Sequence, residues 1–344
     1  MFNKTFANTV DINLSALLAR VFSFTKLIKG CEALILNIVL AVVGFAVLIK
    51  CADFFVDGAS SLAKNLKIPT VVIGLTIVAF GTSAPELAIS FSSHLSGNTD
   101  MMFGNVMGSN VSNILLILGL AVLIKPFSVG KDVIKKEIPI LLLITAGVSV
   151  LFLNGNALSR SDGIIMLLLF SIFVYYLVSI LTNKKSESDN TVAKAKFKIP
   201  MSCVMIAAGL AGIIIGSNLV VNNAAQFAES IGVSQKIISV TIISIGTSLP
   251  ELVTTIVATK KGENSLAIGN IIGSNIFNTA IVLGLPVVFF GEVATTAFGI
   301  VDIVFMLLAV VLLWIFAATG RKLRRCEGAV LLAVYGGYIA YIVL

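Results

Sequence analysis

Long apolar runs alternate with short polar segments along nearly the whole chain. Apolar runs of roughly 18 residues or more are typical of helices that cross a lipid bilayer. The pattern therefore predicts an all-α polytopic membrane protein with about ten transmembrane helices. The predicted spans are 33–57, 68–93, 101–124, 134–153, 161–182, 200–228, 234–258, 265–290, 296–319 and 326–344.

One long polar segment divides these spans into two sets of five. Residues 183–198 read NKKSESDNTVAKAKFK, a composition that cannot bury a core, so we expect a solvated linker between the five-helix units 33–182 and 199–344. Residues 1–32 lack the charged-then-apolar-then-small pattern of a signal peptide. We expect them to form an N-terminal extension that is amphipathic or disordered.

The two units are copies of one another. Residues 81–120 align without a gap to 246–285, at an offset of 165 residues, and 16 of the 40 aligned positions are identical. The identities include Gly, Pro, Glu, Ser and Asn, which chance apolar similarity would not match, so an internal duplication is indicated. Because each unit has an odd number of spans, the second should enter the membrane inverted, as in many secondary transporters.

The basic residues predict the orientation in the membrane. The loops after odd-numbered spans hold 17 Lys and Arg residues, whereas the opposite side, including the N-terminal extension, holds 6. The positive-inside rule places the richer side in the cytoplasm. We therefore expect a cytoplasmic 183–198 linker and both termini outside.

Composition narrows the class of protein further. Hydrophobic residues make up 58% of the 344 residues, the mean hydropathy is +1.05 and only 12% are charged, which excludes one large soluble core. The net charge of +7 comes from loops between apolar runs, so the partner it predicts is a lipid bilayer and not nucleic acid. The four cysteines have no paired spacing, which argues against disulfides and zinc sites.

Each copy carries the motif GTSxPE in the middle of an apolar span. A proline inside a helix removes a backbone hydrogen bond, and a nearby glycine loosens the helix further, so we expect a broken helix lining a cavity. The predicted helix-breaking residues are Gly81, Pro85, Gly246 and Pro250.

The motif also places Glu86 and Glu251 at the centre of the bilayer. A charged carboxylate there costs about 2.5–3.5 kcal/mol on insertion scales. No Lys, Arg or His lies at a comparable depth in these spans, so a bound cation or a proton is expected to compensate the charge.

The following span of each copy carries GNxxGSNxxN. Its Ser and Asn residues are four apart, which puts oxygen ligands on one helix face. Oxygen ligands suit calcium and sodium and disfavour zinc, copper and iron. The candidate metal ligands are Thr82, Ser83, Glu86, Ser109, Asn113, Thr247, Ser248, Glu251, Ser274 and Asn278.

Together the two motifs resemble the alpha-repeat of the calcium/cation antiporter, or sodium/calcium exchanger, superfamily. The stretches KGENSLAIGNIIGSNIFN and RSDGI most closely resemble its YrbG-type bacterial branch. The resemblance covers about residues 33–344. It implies a multi-pass antiporter of the bacterial inner membrane, with ten helices and four ion positions, in which calcium and sodium bind as substrates, no cofactor is needed and a monomer suffices.

The resemblance also implies individual roles. Glu86 and Glu251 would be the central calcium ligands shared with sodium, and Thr82 and Thr247 would lend carbonyl and hydroxyl oxygens to calcium. The flanking sodium positions would be lined by Ser83, Ser109, Ser248 and Ser274. The remaining oxygens would come from the Ala79 and Ser244 carbonyls and from Asn113 and Asn278.

One position departs from part of the superfamily. Asn278 stands where potassium-dependent members carry Asp, so the resemblance favours a potassium-independent exchanger. The function that we predict is exchange of sodium for calcium by alternating access.

Exchange of calcium or another cation for protons is the alternative within transport. An intramembrane enzyme is disfavoured, because no His or Lys base accompanies any serine. A channel is disfavoured by the duplicated, inverted layout around a single midplane site. His94, Asp302 and Asp53 were interpreted as residues outside the site, with His94 solvated and the two acids lacking repeat partners.

Overall fold

The computed structural model describes the backbone of residues 3–153, 155–182, 195–233, 244–295 and 297–343. Side chains are described within these ranges except at 3–33, 244, 245 and 343. The described chain is almost entirely helical, as the apolar runs predict. Two short antiparallel ladders, each of two residues per strand, join loops at the ends of the helices.

The first half folds into eight α-helices and two short strands. They are α1 (Asn3–Leu66), α2 (Thr70–Ile73), α3 (Ala79–Thr82), α4 (Ala84–Leu95), α5 (Thr99–Ser112), α6 (Gly119–Ile124), β1 (Phe127–Ser128), α7 (Ile138–Leu153), β2 (Ala157–Leu158) and α8 (Arg160–Thr182).

The described part of the second half follows the same order of elements. They are α9 (Ile199–Ser230), α10 (Ser244–Thr247), α11 (Leu249–Lys261), α12 (Asn264–Phe277), α13 (Gly284–Phe290), β3 (Val293–Ala294), α14 (Ile300–Ala318), β4 (Lys322–Leu323) and α15 (Arg325–Val343). Four π-helical segments, which the sequence did not predict, interrupt the helices: Gly74–Val78, Asn113–Leu118, Val133–Glu137 and Asn278–Val282.

Seven helices of the described residues are long and apolar enough to cross a membrane. They become eight when the bent pair Thr70–Thr82 and Ala84–Leu95 counts as one span. Of the other two predicted spans, 234–258 lies partly outside the described residues, and 326–344 corresponds to α15. The protein is therefore a multi-pass membrane protein, and the count of ten stays a prediction.

The N-terminal extension continues directly into the first span. Helix α1 begins at Asn3, so residues 3–32 belong to the same helix as the predicted span 33–57. The side chains of residues 1–33 lie outside the description, so the amphipathic character predicted for this part stays a prediction. The predicted division of the chain at 32, 182 and 198 stays a prediction as well.

Helices α1 and α9 pack closely along their length through small residues. A Cβ on Gly216 would lie 2.9 Å from the Gly44 carbonyl oxygen, and one on Gly209 would lie 2.9 Å from the Cys51 carbonyl oxygen. Such contacts let helix backbones approach each other in a membrane, where the hydrophobic effect does not drive helices together. The first helices of the two halves thus form one tightly packed pair.

The ladders show how the loops are sorted between the two ends of the helices. Strand β1 pairs with β4, and β2 pairs with β3, so each ladder takes one strand from each half. The first-half strand β1 and its second-half counterpart β3 lie in different ladders. This is the arrangement that an inverted repeat predicts, because equivalent loops then fall at opposite ends.

One end of the molecule, which we call the basic end, comprises the loops after α1, α6, α11 and α14 and residues 195–198. Ion pairs join these loops: Asp57 contacts both Lys196 and Lys261 at 2.6 Å, and Glu263 contacts Lys64 at 2.8 Å. The hydrogen bond and charge of Asp57 raise the pKa of Lys196. The network therefore links the α1–α9 pair to the end of α11, the helix that carries Glu251.

Candidate ion-binding site

Both GTSxPE motifs break their helix at the serine. Ser83 separates α3 from α4 with φ −87° and ψ 8°, and Ser248 separates α10 from α11 with φ −88° and ψ 6°. The halves on either side of Ser83 are bent by 44°. Pro85 and Pro250 lie in the first turn after the break, where a missing N–H loses no helical hydrogen bond. The motif thus starts a new half-helix in each copy.

This start places the two glutamates at helix N-termini. Glu86 and Glu251 lie in the first turns of α4 and α11, and both are fully buried. The unsatisfied N–H groups of a first turn carry partial positive charge, which favours a carboxylate there. The two carboxyl groups are near enough to interact electrostatically. The structure therefore brings together the acids that the duplication predicts to meet.

The carboxyl oxygens have few protein partners. Ser83 Oγ donates to Glu251 Oε1 at 3.0 Å. Within the described part of the chain, Glu251 Oε2 and both oxygens of Glu86 accept no hydrogen bond, and neither acid pairs with Lys, Arg or His. Burying an unpaired carboxylate costs several kcal/mol, so this arrangement calls for a bound cation or for protonation.

The serines and asparagines of the second motif lie buried on the neighbouring helices. Ser248 Oγ lies 3.4 Å from Ser109 Oγ. Ser274 Oγ and the side-chain amides of Asn113 and Asn278 have no hydrogen-bond partner among the residues that the structure describes. Buried polar groups are ordinarily hydrogen-bonded, so these unpaired oxygens are candidate ligands.

Two π-helical segments begin at the predicted asparagine ligands. The first π-helical segment here begins at Asn113, directly after α5, and the second at Asn278, directly after α12. Single-turn π-helical bulges are frequent at functional sites, because they re-aim side chains and free backbone groups. Sequence periodicity gave no signal for them.

The threonines lie directly before the serine breaks. Thr82 is buried, and its Oγ1 lies 3.0 Å from the Val78 carbonyl oxygen and 3.3 Å from the Ala79 carbonyl oxygen. Thr247 is half-buried at the corresponding position of α10. All ten predicted ligands thus lie on or beside the two broken helices and their neighbours α5 and α12.

Two asparagines that were not predicted as ligands hold the half-helices in place. Asn105 Nδ2 donates to the Glu86 carbonyl oxygen at 3.0 Å and to Ser90 Oγ at 3.2 Å. Asn270 Nδ2 donates to Thr255 Oγ1 at 3.0 Å. The offset of 165 that relates the asparagines also relates Ser90 to Thr255, and this offset was the signal that could have found them.

The interpretation of Asp302 as an acid without a repeat partner is wrong. The offset of 165 residues takes it to Glu137, and both acids are buried. Tyr176 Oη donates to Glu137 Oε1 at 2.5 Å, and the Gly299 N–H donates to Asp302 Oδ2 at 3.0 Å. These acids lie at the starts of other helices and have their own donors, so they stay outside the site.

The interpretation of the other two residues fares differently. His94 is half-buried and its ring lies 5.2 Å from the ring of Phe290, so a solvated histidine is a wrong description. Asp53 contacts Lys261 at 2.7 Å in the ion-pair network of the basic end. Neither residue contributes to the candidate site.

The site therefore consists of two carboxylates surrounded by hydroxyl and amide oxygens. The described residues hold no group of three or more His, Cys, Asp or Glu side chains that could bind a metal ion. Hard cations such as calcium accept mixed carboxylate, carbonyl, hydroxyl and amide oxygens, whereas zinc and copper prefer nitrogen and sulfur.

Comparison with known proteins identifies the family. The model of the family described as "Sodium/calcium exchanger protein" matches the chain twice, over residues 36–179 and 201–344, two stretches that lie 165 residues apart. The double match coincides with the internal duplication.

Curated relatives match over most of their length. The chain is 40% identical to "Putative antiporter CaxA" of Alkalimonas amylolytica, over 87% of this chain and 96% of the relative. It is 37% identical to "Inner membrane protein YrbG" of Escherichia coli, over 80% and 89%. It is 32% identical to "Sodium/calcium exchanger MaX1" of Methanosarcina acetivorans, over 88% and 97%.

A solved structure agrees with these relatives. The sodium-calcium exchanger NCX_Mj, soaked with Na⁺ and Ca²⁺, matches with a TM-score of 0.77 and 31% identity, over 89% of this chain and 98% of that one. The chain is therefore a multi-pass membrane antiporter that belongs to the sodium/calcium exchanger family of calcium/cation antiporters, with YrbG-type relatives.

Proposed function

We propose that the protein exchanges sodium for calcium across the cell membrane at the site formed by the two broken helices. The observation that carries the proposal is the pair of fully buried carboxyl groups, Glu86 and Glu251, one from each half, with no basic partner in the described part of the chain. The relatives that are named sodium/calcium exchangers support the choice of ions.

The charge of the site explains why two different ions would compete for it. Two ionised carboxylates carry a formal charge of −2, which one calcium ion or two sodium ions neutralise. The loaded site then crosses the membrane at low cost, whereas two bare carboxylates do not, because an uncompensated charge in the bilayer is costly. Exchange instead of leak follows from that difference.

The ligands divide between the two ions. Thr82 and Thr247 complete the calcium position around the glutamates, and Asn113 and Asn278 lie between the two broken helices. The sodium ions occupy flanking positions lined by Ser83, Ser109, Ser248 and Ser274.

Access to the site alternates by movement of the α1–α9 pair against the helices that carry the ligands. Tight packing of α1 on α9 supports a joint movement of the two helices. The basic end faces the cytoplasm of the inner membrane under the positive-inside rule, which places the 183–198 linker inside and both termini outside.

The test is sodium-gradient-dependent uptake of radioactive calcium into proteoliposomes. Glu86→Gln and Glu251→Gln keep the side-chain size but remove one charge each, so each should abolish exchange. Glu292→Gln, the same change at an exposed loop position, is the matched control and should leave exchange unchanged. Undiminished exchange in both site variants would overturn the assignment.

Exchange of a cation for protons is the second candidate. The observation that favours it is Glu86, whose two buried oxygens accept no hydrogen bond from the described residues and so are free to hold a proton. Calcium flux that follows a pH gradient in sodium-free medium would identify this mode, whereas flux that requires sodium would exclude it.

A further inference from the structure

Asn270 connects the two halves of the molecule at the candidate site. It lies on α12 and is only 1% exposed. Its Nδ2 donates to Thr255 Oγ1 of α11 at 3.0 Å, and its Oδ1 accepts from Thr82 Oγ1 of α3 at 3.2 Å. One side chain thus contacts both broken helices, one from each half.

The contact with Thr82 fixes the direction of a hydroxyl proton. A hydroxyl group binds a cation through an oxygen lone pair, so its proton must be directed to an acceptor elsewhere. The three polar atoms recorded around Thr82 Oγ1 are the Val78 and Ala79 carbonyl oxygens and Asn270 Oδ1, all of them acceptors. Asn270 is the acceptor that lies on a different helix from Thr82.

The contact with Thr255 fixes the orientation of the amide. If the amide were reversed, its NH₂ group would face Thr82 Oγ1 and occupy the lone pair that a cation needs. Donation to Thr255 holds the NH₂ group on the α11 side. The repeat counterpart Asn105 makes the equivalent contact with Ser90, so both copies of the motif use this asparagine to bind the half-helix that carries the glutamate.

We propose that Asn270 is a positioning residue that presents the Thr82 hydroxyl to the transported cation and ties this ligand to the opposite half of the site. The proposal rests on the proposed function, because it assumes that a cation binds at Thr82. Asn270 acts through Thr82 and needs no contact with the ion.

A double-mutant cycle tests the proposal by isothermal titration of the purified full-length protein with calcium. Asn270→Ala should weaken calcium binding about tenfold, the effect of losing one buried hydrogen bond to a ligand. In a Thr82→Ala background the same change should alter affinity by less than about twofold, because the hydroxyl that Asn270 positions is gone. A loss of the same size in both backgrounds would show a general structural role and overturn the proposal.

Two further variants guard against misfolding. Thr255→Val removes only the partner that orients the amide, and it should weaken binding severalfold in the native background but not in Thr82→Ala. Asn275→Ala is the matched control, because Asn275 lies on the same helix, is equally buried and donates to its own helix at the Ile271 carbonyl oxygen. Its calcium affinity should stay within about twofold of the native value.

The outcomes also separate this proposal from the proposed function. Native protein that binds neither calcium nor sodium would defeat the proposed function itself. Native protein that binds calcium while Asn270→Ala and Thr255→Val bind it equally well would defeat only the role of Asn270.

Discussion

The two halves of the site share a motif but bind their carboxyl groups differently. Ser83 and Ser248 have nearly the same backbone conformation, yet Ser83 donates to Glu251 of the other half, whereas Ser248 contacts Ser109. Glu86 accepts no hydrogen bond from the described residues. The duplicated sequence therefore determines which groups surround the ion, while contacts between the halves determine which of these groups are engaged.

This asymmetry is what an inverted-repeat carrier requires. If both halves were in the same conformation, the site would be equally open to both ends of the molecule. Since the halves are related by sequence, the opposite access state should exchange their conformations, with Ser248 donating to Glu86 and Ser83 released from Glu251. The predictions below test how far the halves differ.

The largest effect is expected where the halves should behave alike. Removing either charge, by Glu86→Gln or Glu251→Gln, should abolish the stabilisation that calcium gives the native protein. At a calcium concentration about 100 times the dissociation constant, that stabilisation is about 2.7 kcal/mol and is reversed by a chelator. Thermal unfolding in detergent, with and without calcium, measures it. A variant that is still stabilised by calcium would show that its glutamate is dispensable.

The next effect distinguishes equivalent glycines of the two halves. A Cβ on Gly269 would lie 2.7 Å from the Val71 carbonyl oxygen, whereas one on Gly104 would lie 2.9 Å from the ring of Phe298. Backbone cannot move aside as a side chain can, so Gly269→Ala should destabilise the protein by about 1–3 kcal/mol and Gly104→Ala by less. Unfolding temperatures of the two variants provide the comparison, and a reversed order would contradict the packing described for Gly269.

A smaller difference is expected between the two serines at the helix breaks. Ser83→Ala leaves Glu251 Oε1 without its donor, so calcium affinity should fall by about 1 kcal/mol, or roughly fivefold. Ser248→Ala removes only a long contact with Ser109 and should have less effect. Calorimetric titration of the two alanine variants decides the question, and equal losses would mean that the asymmetry does not persist in solution.

The smallest effect concerns the two ends of the molecule. Asp57 pairs with Lys196 and Lys261 at the basic end, while its repeat counterpart is the uncharged Asn222. Because these ion pairs are partly exposed, Asp57→Asn should cost up to about 1 kcal/mol of stability, and less at high salt. Asn222→Ala is the control and should show no dependence on salt. Unfolding at low and high salt compares them, and a salt-independent loss in Asp57→Asn would argue against an electrostatic role.

Much of this molecule could be predicted from the sequence because its information is local and repeated. The apolar runs predicted the helices, and the duplicated GTSxPE and GNxxGSNxxN motifs predicted the residues that surround the two glutamates. Family membership, as the resemblance implied, is confirmed by the double match of the family model. The ion-binding roles of individual residues stay predictions.

The remainder depends on contacts between distant segments. The bond from Asn270 to Thr82, the ladders and the pairing of Asp57 with Lys196 each join residues far apart in the chain, and hydrophobic periodicity carries no signal for them. The π-helical segments at Asn113 and Asn278 are likewise set by packing. The partnership of Glu137 with Asp302 was within reach, since the repeat offset alone relates them.

The ladders have a consequence for how the chain could be divided. Because β1 pairs with β4 and β2 pairs with β3, neither half completes a ladder by itself, and neither holds both glutamates. Two separately expressed polypeptides, 1–182 and 195–344, would together keep every described contact between the halves. Their interlocked loops, and not the segment that joins them in the intact gene product, would then hold the reassembled pair together.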